Sequence, residues 1–386
     1  MALDLVSTGT AGQGNQYSTA PELSEDGRYV CFNSAATNLV SNDMNGQQDV
    51  FLRDTQSRVT HLVSATQTGA TGNNSSNYCR VTASGTTVLF QSAADNLVAS
   101  DGNGRADWFT WNLGVGVANR IMRQGGAEPI WDAARVSPDG RYLALRSETT
   151  SVLRDQNTGG EVPIALMAAN GMPARVDPMQ VGRDGSYVLF SYPEPFSGPA
   201  ANGMNQLQVW YPGTGTYSAI SAASNGTWSD NGVDGAGDAS GAFFVFASVS
   251  QFLIVNDLNG GSDVFTKLPA TGALDLISTG FAGGQGNGPS YSPSISSDGR
   301  YVAFCSGADN IVPNVLTHQV VQTYVIDLVS GRRVLVSANP AGEGGNSYSC
   351  GKISGNGQYV AIDSSASDLV AGDTNGTTDV FIAQLF

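Results

Sequence analysis

Four copies of a short acidic motif, D-x-N-G-x-x-D, are the residues of this sequence best suited to chemistry. The outer aspartates offer anionic oxygens, the asparagine offers a neutral carbonyl, and the glycine permits a sharp bend. Oxygen-only ligands of this kind suit calcium, which accepts six to eight of them in flexible geometry. The predicted ligands are Asp43, Asn45, Asp49; Asp101, Asn103, Asp107; Asp257, Asn259, Asp263; and Asp373, Asn375, Asp379.

A fifth, less regular copy lies in RDQNTGGEVP, where Asp155, Asn157 and Glu161 keep the same spacing. The sequence therefore predicts four or five calcium ions with a structural role. Because the ligand set is only partly like that of a full calcium loop, the expected dissociation constants are about 10⁻⁴ to 10⁻³ M, as in extracellular modules.

The motif has an alternative interpretation as a plain hairpin turn. Asn-Gly is the strongest short hairpin signal, and it accounts for Asn45 and Gly46. It does not account for Asp49, since aspartate is disfavoured in the strand that begins there. Two carboxylates held on one hairpin also repel each other unless a cation or a donor lies between them.

The motif belongs to a longer repeat. Turns such as SEDGRYVCF and SSDGRYVAF recur about 55 residues apart, with glycines at Gly27, Gly85, Gly140, Gly185, Gly241, Gly299 and Gly357. Each repeat holds four short segments rich in Val, Tyr, Phe and Thr, and no segment has a sustained helical period. Seven four-stranded repeats predict an all-β fold, a seven-bladed β-propeller forming a single domain over residues 1–386.

The two ends of the chain complement each other. LDLVST, residues 3–8, matches the fourth strand of the other repeats, whereas the last repeat stops at its third strand in DVFIAQLF. We therefore expect residues 3–8 to complete the last blade by pairing with residues 379–386.

The consensus SxDGRYVAFxSxAxNLVxxDxNGxxDVFxxD, followed by xxxLVS, resembles the TolB-like, WD-like propeller repeats of bacteria, especially a calcium-loop subtype common in exported proteins. The resemblance covers the whole chain and implies the propeller fold. It leaves function open, because propellers serve as binding modules, enzymes and scaffolds.

Composition and cysteine placement indicate the compartment. The net charge of −15 disfavours a nucleic-acid partner, and no apolar run is long enough to span a bilayer. The four cysteines occupy similar places in two pairs of neighbouring repeats, which predicts disulfides Cys31–Cys79 and Cys305–Cys350, with four buried free thiols as the alternative. The expected location is extracellular, at the cell surface or in the periplasm, although no signal peptide is visible.

The long loops that enter each first strand are rich in Asn, Ser and Gly and contain aromatic residues. Aromatic faces stack on sugars while amides and hydroxyls fix their orientation, so a polysaccharide is a candidate ligand. The alternative is that these rings pack between blades. The candidates are Tyr17, Tyr78, Trp131, Trp228, Tyr291 and Tyr348.

The sequence favours a non-catalytic, calcium-binding module for a polysaccharide or a surface protein. A polysaccharide lyase or glycoside hydrolase is the second hypothesis, because 33 carboxylates leave many possible acid pairs. A scaffold that assembles through its rim is the third. His61 and His318 lack metal-ligand spacing, and the DGR arginines Arg28, Arg141 and Arg300 are expected only to solvate the surface.

Overall fold

The fold is an all-β, seven-bladed propeller of four-stranded antiparallel blades, as predicted. The computed structural model describes residues 2–99, 101–123, 131–164, 166, 176–192, 205–223, 232–253, 259–313, 315–317 and 319–385. Within these residues, the only helical element is a 3₁₀ turn at Arg183–Gly185. None of the described helical structure is long and apolar enough to cross a membrane.

Blades 1 to 3 each consist of four consecutive strands. Their bounds are β4 (Ser18–Leu23), β5 (Tyr29–Ser34), β6 (Asp49–Asp54) and β7 (Val59–Leu62); β8 (Ser76–Val81), β9 (Thr87–Ser92), β10 (Asp107–Asn112) and β11 (Ala118–Arg120); and β12 (Trp131–Val136), β13 (Tyr142–Ser147), β14 (Ser151–Asp155) and β15 (Glu161–Pro163).

Blades 4 to 6 repeat this order. Their strands are β16 (Asp177–Val181), β17 (Val188–Tyr192), β18 (Gln206–Tyr211) and β19 (Thr216–Ala219); β20 (Gly232–Gly237), β21 (Phe244–Ser248), β22 (Asp263–Leu268) and β23 (Ala273–Leu276); and β24 (Ser290–Ile295), β25 (Tyr301–Ser306), β26 (Gln322–Asp327) and β27 (Arg333–Leu335).

Blade 7 takes its fourth strand from the other end of the chain. It consists of β28 (Ser349–Ile353), β29 (Tyr359–Ser364), β30 (Asp379–Gln384) and β1 (Leu3–Leu5), with Leu3 opposite Ala383 and Leu5 opposite Phe381. The predicted closure is thus confirmed. A two-stranded ribbon, β2 (Thr8–Gly9) and β3 (Gly12–Gln13), follows β1.

Contacts group the chain into two compact units, one of residues 1–132 with 337–386 and the other of residues 133–336. The first unit holds blades 7, 1 and 2, and the second holds blades 3 to 6. Within each unit, apolar clusters combine residues of neighbouring blades. An aromatic pair joins the second and third strands of several blades, as in Phe32 on Phe51, 5.8 Å between ring centroids, and Phe90 on Phe109, 5.5 Å.

The turn glycines of the repeat also fit the blade packing. Gly85 has a φ of 75°, and a Cβ there would lie 2.0 Å from the ring of Tyr29 in the preceding blade. Gly27 has the same relation to Tyr359. The turn glycine therefore meets two requirements at once, a left-handed backbone and a close approach by a neighbouring ring.

Both predicted disulfides are present. Cys31 on β5 bonds Cys79 on β8, with 6.2 Å between their Cα atoms and a sequence separation of 48. Cys305 and Cys350 are disulfide-bonded as well. In the chain-entropy model a bridge that closes a loop of this length contributes about 4 kcal/mol to stability.

The DGR arginines do more than solvate the surface, so that expectation is wrong. The Arg28 guanidinium donates to both carboxylate oxygens of Asp54 at the end of β6, at 3.1 and 2.7 Å, and lies over the Tyr29 ring. Arg141 pairs with Asp155 and Arg300 with Asp327 in the same way. The arginine hydrogen bonds hold the pKa of Asp54 well below its usual range and lower that of Asp155 to about 2.

Deleting residues 1–9 should lower the melting temperature and cause aggregation. The deletion removes β1 and leaves the edge of β30 unpaired, exposing Val380 and Ile382. Circular dichroism and light scattering would measure both effects. Deleting only residues 1 and 2, which leaves β1 intact, is the control, and an unchanged melting temperature for the longer deletion would contradict the closure.

Arg28→Met should destabilise the protein at neutral pH, with an effect that fades in acid. The folded-state pKa of Asp54 is depressed, so the ion pair stabilises the fold above the ordinary aspartate pKa of about 4 and is lost as pH falls toward the folded value. We expect the difference in melting temperature from the native protein to shrink between pH 5 and pH 2. The exposed Arg123 provides an Arg→Met control, and a pH-independent difference would exclude the pair as its source.

Candidate metal loops and a neighbouring cleft

The D-x-N-G-x-x-D motifs lie in the loops between the second and third strands of blades 1, 2, 5 and 7. The last aspartate of each motif is the first residue of the third strand. All four are buried, with exposed fractions of 0% for Asp49, 3% for Asp107, 1% for Asp263 and 0% for Asp379. Burying a carboxylate is unfavourable unless donors or a cation compensate it, so each blade has to provide compensation.

Three of these blades use a serine from the fourth-strand region. Ser64 donates to Asp49 Oδ1 at 2.6 Å, Ser278 to Asp263 Oδ1 at 2.8 Å and Ser7 to Asp379 Oδ1 at 2.5 Å. One oxygen of each carboxylate is therefore satisfied locally. The compensation of the second oxygen differs from blade to blade.

The asparagine of the motif holds the loop in place. In blade 1, Asn45 Oδ1 accepts from the Gln47 backbone N–H at 2.8 Å, while Asn45 Nδ2 donates to Asp49 Oδ2 and to the Gly72 carbonyl, both at 2.8 Å. Asn375 and Asn259 tether their loops to Gly14 and Gly286 in the same way. The asparagine is thus a turn residue and a tether, which agrees with the hairpin interpretation for this position.

In blade 7 a glutamine lies between the two aspartates. Gln13 Nε2 donates to Asp373 Oδ1 and to Asp379 Oδ2, both at 2.8 Å, and Gln13 Oε1 accepts from the Thr374 backbone N–H. Gln285 of blade 5 similarly donates to Asp263 Oδ2. The first aspartate of the blade 5 motif, Asp257, lies outside the described residues.

Blade 1 lacks this compensation. Thr71 occupies the place of the glutamine, since Ala65 pairs with Thr71 as Thr8 pairs with Gln13. Asp43 is only 6% exposed, and neither of its carboxylate oxygens has a hydrogen-bond partner. The nearby Asn45 backbone amide gives Asp43 only partial electrostatic relief.

The electrostatics of the blade 1 loop reflect this missing compensation. Burial raises the pKa of Asp49 to about 7, with a smaller upward contribution from the neighbouring Asp43 charge. Burial raises the pKa of Asp43 as well. Two neighbouring carboxylates whose pKa values are raised by burial are the arrangement that a bound cation relieves.

In blade 2 an arginine of β11 contacts the aspartates of the loop. Arg120 Nη2 lies 2.5 Å from Asp107 Oδ2 and 3.2 Å from Asp101 Oδ1, and Arg120 Nε lies 2.9 Å from Asp107 Oδ2. Asn103 donates to Asp107 as Asn45 does to Asp49. Arg120 Nη2 and Nε both donate hydrogen bonds to Asp107 Oδ2. The contact of Nη2 with Asp101 is an ion pair without hydrogen-bond geometry.

The fifth predicted motif does not form an equivalent loop. Asp155 ends β14 and pairs with Arg141, which places it with Asp54 and Asp327 at the end of a third strand. Glu161 lies on β15 and pairs with Arg154, while the Asn157 backbone N–H donates to Asp155 Oδ1. The matching spacing therefore comes from a different turn, and both acids already have arginine partners.

Across the described residues, no three side chains from His, Cys, Asp and Glu come together as a metal site. This agrees with loops that carry two acids each. A calcium ion in blade 1 would therefore complete its coordination with backbone carbonyls and water, which calcium accepts.

The described aromatic candidates do not occupy equivalent strand positions. Serine pairs align the first strands, such as Ser18 with Ser34 and Ser76 with Ser92. Tyr17 and Tyr348 each come one residue before the serine that begins the first strand, whereas Tyr78 and Tyr291 lie within the strand. Trp131 is 5% exposed and belongs to the core, as the packing alternative expected, while Trp228 lies outside the described residues.

Tyr17, 41% exposed, borders a cleft of about 600 Å³ beside the blade 1 loop. Amides and hydroxyls line the cleft, among them Asn15, Thr37, Gln47 and Gln48, and none of its described lining residues is charged. Tyr17 Oη donates to Gln48 Oε1 at 3.3 Å. An aromatic face beside several neutral donors and acceptors is suited to a neutral sugar.

His61 packs beside an aromatic ring. Its ring lies 6.2 Å from that of Trp111, and burial lowers its pKa. The other histidine, His318, lies outside the described residues.

Comparison with known proteins identifies the fold but no family. No family model and no curated protein matches the sequence. The β-propeller domain of the Trilobed protease from Pyrococcus furiosus aligns over 95% of both chains, with a TM-score of 0.56 and 11% identity. Two oligogalacturonate lyase structures, one from Vibrio parahaemolyticus and one in complex with manganese, also give 0.56 and 11%, over 100% of this chain and 98% and 97% of theirs.

Some other similar structures are of much longer proteins. This chain spans 28% of the tricorn protease, with a TM-score of 0.39, and 52% of the acylaminoacyl peptidase of Pyrococcus horikoshii. At such low sequence identity the similarity establishes the propeller fold alone.

Proposed function

We propose that this protein is an exported, calcium-stabilised propeller of the TolB-like type that binds a polysaccharide without cleaving it. The observation that carries the proposal is Asp43, a carboxylate more than nine-tenths buried with no partner on either oxygen. It lies in one loop with the fully buried Asp49. A divalent cation is the simplest partner for this pair.

Calcium fits the donor set of the blade 1 loop. Asp43 contributes two oxygens and Asp49 contributes Oδ2, which also accepts from Asn45 Nδ2, while Asp49 Oδ1 stays bound to Ser64. Hard carboxylate ligands without nitrogen or sulfur favour calcium or magnesium, and calcium tolerates the irregular geometry of a loop. The ion would neutralise both charges and fix the loop from Asp43 to Asp49.

Blade 1 is the best of the predicted calcium loops. In blade 7 the Gln13 amide already donates to both aspartates, so calcium would have to displace or rotate it. In blade 5, Gln285 contacts Asp263 in the same way. The proposed occupancy is therefore ordered, with blade 1 filled first and blades 5 and 7 more weakly.

The cleft next to this loop supports the ligand assignment. Gly46, Gln47 and Gln48 form one wall of the cleft, and they follow directly on the asparagine of the motif. Calcium binding at Asp43 and Asp49 would fix that wall. Because the lining is uncharged, the proposed ligand is a neutral glycan and not a polyuronate.

The proposed compartment follows from the covalent chemistry. Disulfides persist in oxidising surroundings, which are extracellular or periplasmic. A weak calcium site is useful only where calcium is abundant. Both properties fit an exported protein.

Calcium should raise the melting temperature of chelator-treated protein, and Asp43→Asn should abolish most of that rise. With a dissociation constant of about 1 mM, 10 mM calcium would stabilise the folded state by about 1.4 kcal/mol. Differential scanning fluorimetry with calcium and with magnesium measures the effect.

Asp275→Asn is the matched control for this experiment, because it changes the same charge at an exposed strand position. Its response to calcium should equal that of the native protein. If calcium leaves the melting temperature of the native protein unchanged, the motifs are turns and the calcium proposal is wrong.

Tyr17→Ala should weaken retardation of the protein in affinity electrophoresis through neutral glucan, galactan and mannan gels. Loss of one stacking ring is expected to lower affinity about tenfold or more, in line with about 1.5 kcal/mol per aromatic contact. Chelation should weaken binding of the native protein too, since it releases the Gln47 wall.

Tyr348→Ala is the control, with 39% of its side chain exposed and a place outside the cleft. Retardation by polygalacturonate but not by neutral glycans would overturn the ligand assignment. New reducing or unsaturated ends in the glycan would instead identify an enzyme. Concentration-dependent assembly without glycan binding would identify a scaffold.

A further inference from the structure

Blade 2 carries the calcium motif, yet a positively charged side chain of the same blade already contacts its two aspartates. The side chains of Arg120, Asp101 and Asp107 are 2%, 1% and 4% exposed. The guanidinium contacts both aspartates, at 3.2 Å for Asp101 and 2.5 Å for Asp107. A positive charge thus lies between the two carboxylates that the motif would otherwise offer to a metal.

The position of Arg120 is leucine in the other three blades that carry the motif. Arg120 pairs with Phe109 across the third and fourth strands. The equivalent partners of Phe51, Phe265 and Phe381 are Leu62, Leu276 and Leu5. Blade 2 alone among these four has a charged residue there.

A second replacement accompanies the first. The serine that donates to the strand-initial aspartate lies two residues after the leucine, at Ser7, Ser64 and Ser278. In blade 2 that position is Met122, which has no hydroxyl to donate. Arg120 supplies the missing donor, since its Nε and Nη2 both donate to Asp107 Oδ2. The two replacements together exchange a neutral donor for a cation.

A calcium ion and this guanidinium cannot occupy the loop together. The ion would need the same carboxylate oxygens, and like charges at contact distance in a buried site repel strongly. Displacing Arg120 would leave a buried cation separated from its carboxylate partners. In the described parts of the other motif loops the side-chain donors given above, serine, asparagine and glutamine, are neutral.

We propose that Arg120 is the resident cation of blade 2, so that this loop binds no calcium, and that Arg120 closes a latent calcium site of the blade 1 type. The first half stands on the contacts of Arg120. The second half rests on the calcium site proposed for blade 1.

The test is a calcium-binding isotherm for Arg120→Leu combined with Met122→Ser, which restores the residues of blade 1. The double variant should bind one calcium ion more than the native protein. Without calcium it should melt at a lower temperature than the native protein, and calcium should restore much of the loss. Isothermal titration calorimetry and differential scanning fluorimetry measure the two effects.

Arg53→Leu is the matched control, because Arg53 is also a buried arginine but contacts Thr8 and Thr60 instead of a motif loop. It should gain no calcium. If the double variant does not fold, Asp101→Asn in the native background provides the answer, since the number of bound calcium ions should stay unchanged. A loss of one ion in Asp101→Asn, or no gain in a folded double variant, would overturn the proposal.

Two aspartate variants, Asp43→Asn and Asp101→Asn, separate the role of Arg120 from the calcium site of blade 1. Asp43→Asn reports on blade 1 alone. If the native protein binds no calcium at blade 1, the calcium proposal fails whatever Arg120 does. If Asp43→Asn removes an ion and Asp101→Asn removes another, calcium binding stands and the role of Arg120 is wrong.

Discussion

The buried aspartate at the start of the third strand is the constraint on which the repeated loops depend. Asp49, Asp107, Asp263 and Asp379 all lie there, at most 3% exposed. Aspartate has a low propensity for strands, and burying its carboxylate removes it from water. The buried charge therefore has to be compensated by nearby groups. The blades meet the same requirement with different groups, namely a serine with a glutamine, an arginine, or a serine beside an unpartnered second aspartate.

The architecture was predictable because it follows from local signals that repeat. The turn glycines mark a left-handed backbone against which a tyrosine of the preceding blade packs, as at Gly85 and Tyr29. The closure of blade 7 was predictable because residues 3–8 resemble the fourth strand of the other repeats, whereas the last repeat has no fourth strand of its own. The disulfide Cys31–Cys79 followed from comparing equivalent places in neighbouring repeats.

The compensating groups were not predictable, because they are distant in sequence. Gln13 lies 360 residues from Asp373 in the sequence. Nothing in the sequence of the short two-stranded ribbon that contains Gln13 marks it as the partner of an aspartate. Arg120 stands where the other three blades with the motif have leucine, and its role appears only once the strand register is known. Spacing alone also misplaced Asp155, because a turn after the third strand can keep the same spacing of Asp, Asn and a second acid as a loop before it.

The aromatic residues illustrate a related limit. Several first strands contain a bulge, with positive φ at Ala20, Tyr78 and Ser292. A shift of one or two residues across such a bulge changes which face a ring occupies, so residues that look equivalent in sequence diverge in space. Tyr17 borders the cleft, whereas Tyr78 contacts Trp108 at 6.2 Å.

The nearness of the cleft to the blade 1 loop gives the proposed calcium site a consequence beyond stability. Gln47 is held by Asn45 on one side and lines the cleft on the other. If calcium fixes this segment and the glycan binds the fixed form, each ligand raises the affinity of the other by the same factor. With a dissociation constant of about 1 mM, the loop would be partly filled in millimolar calcium, where such coupling has most effect on occupancy. A structural ion would then also set how tightly the glycan is held.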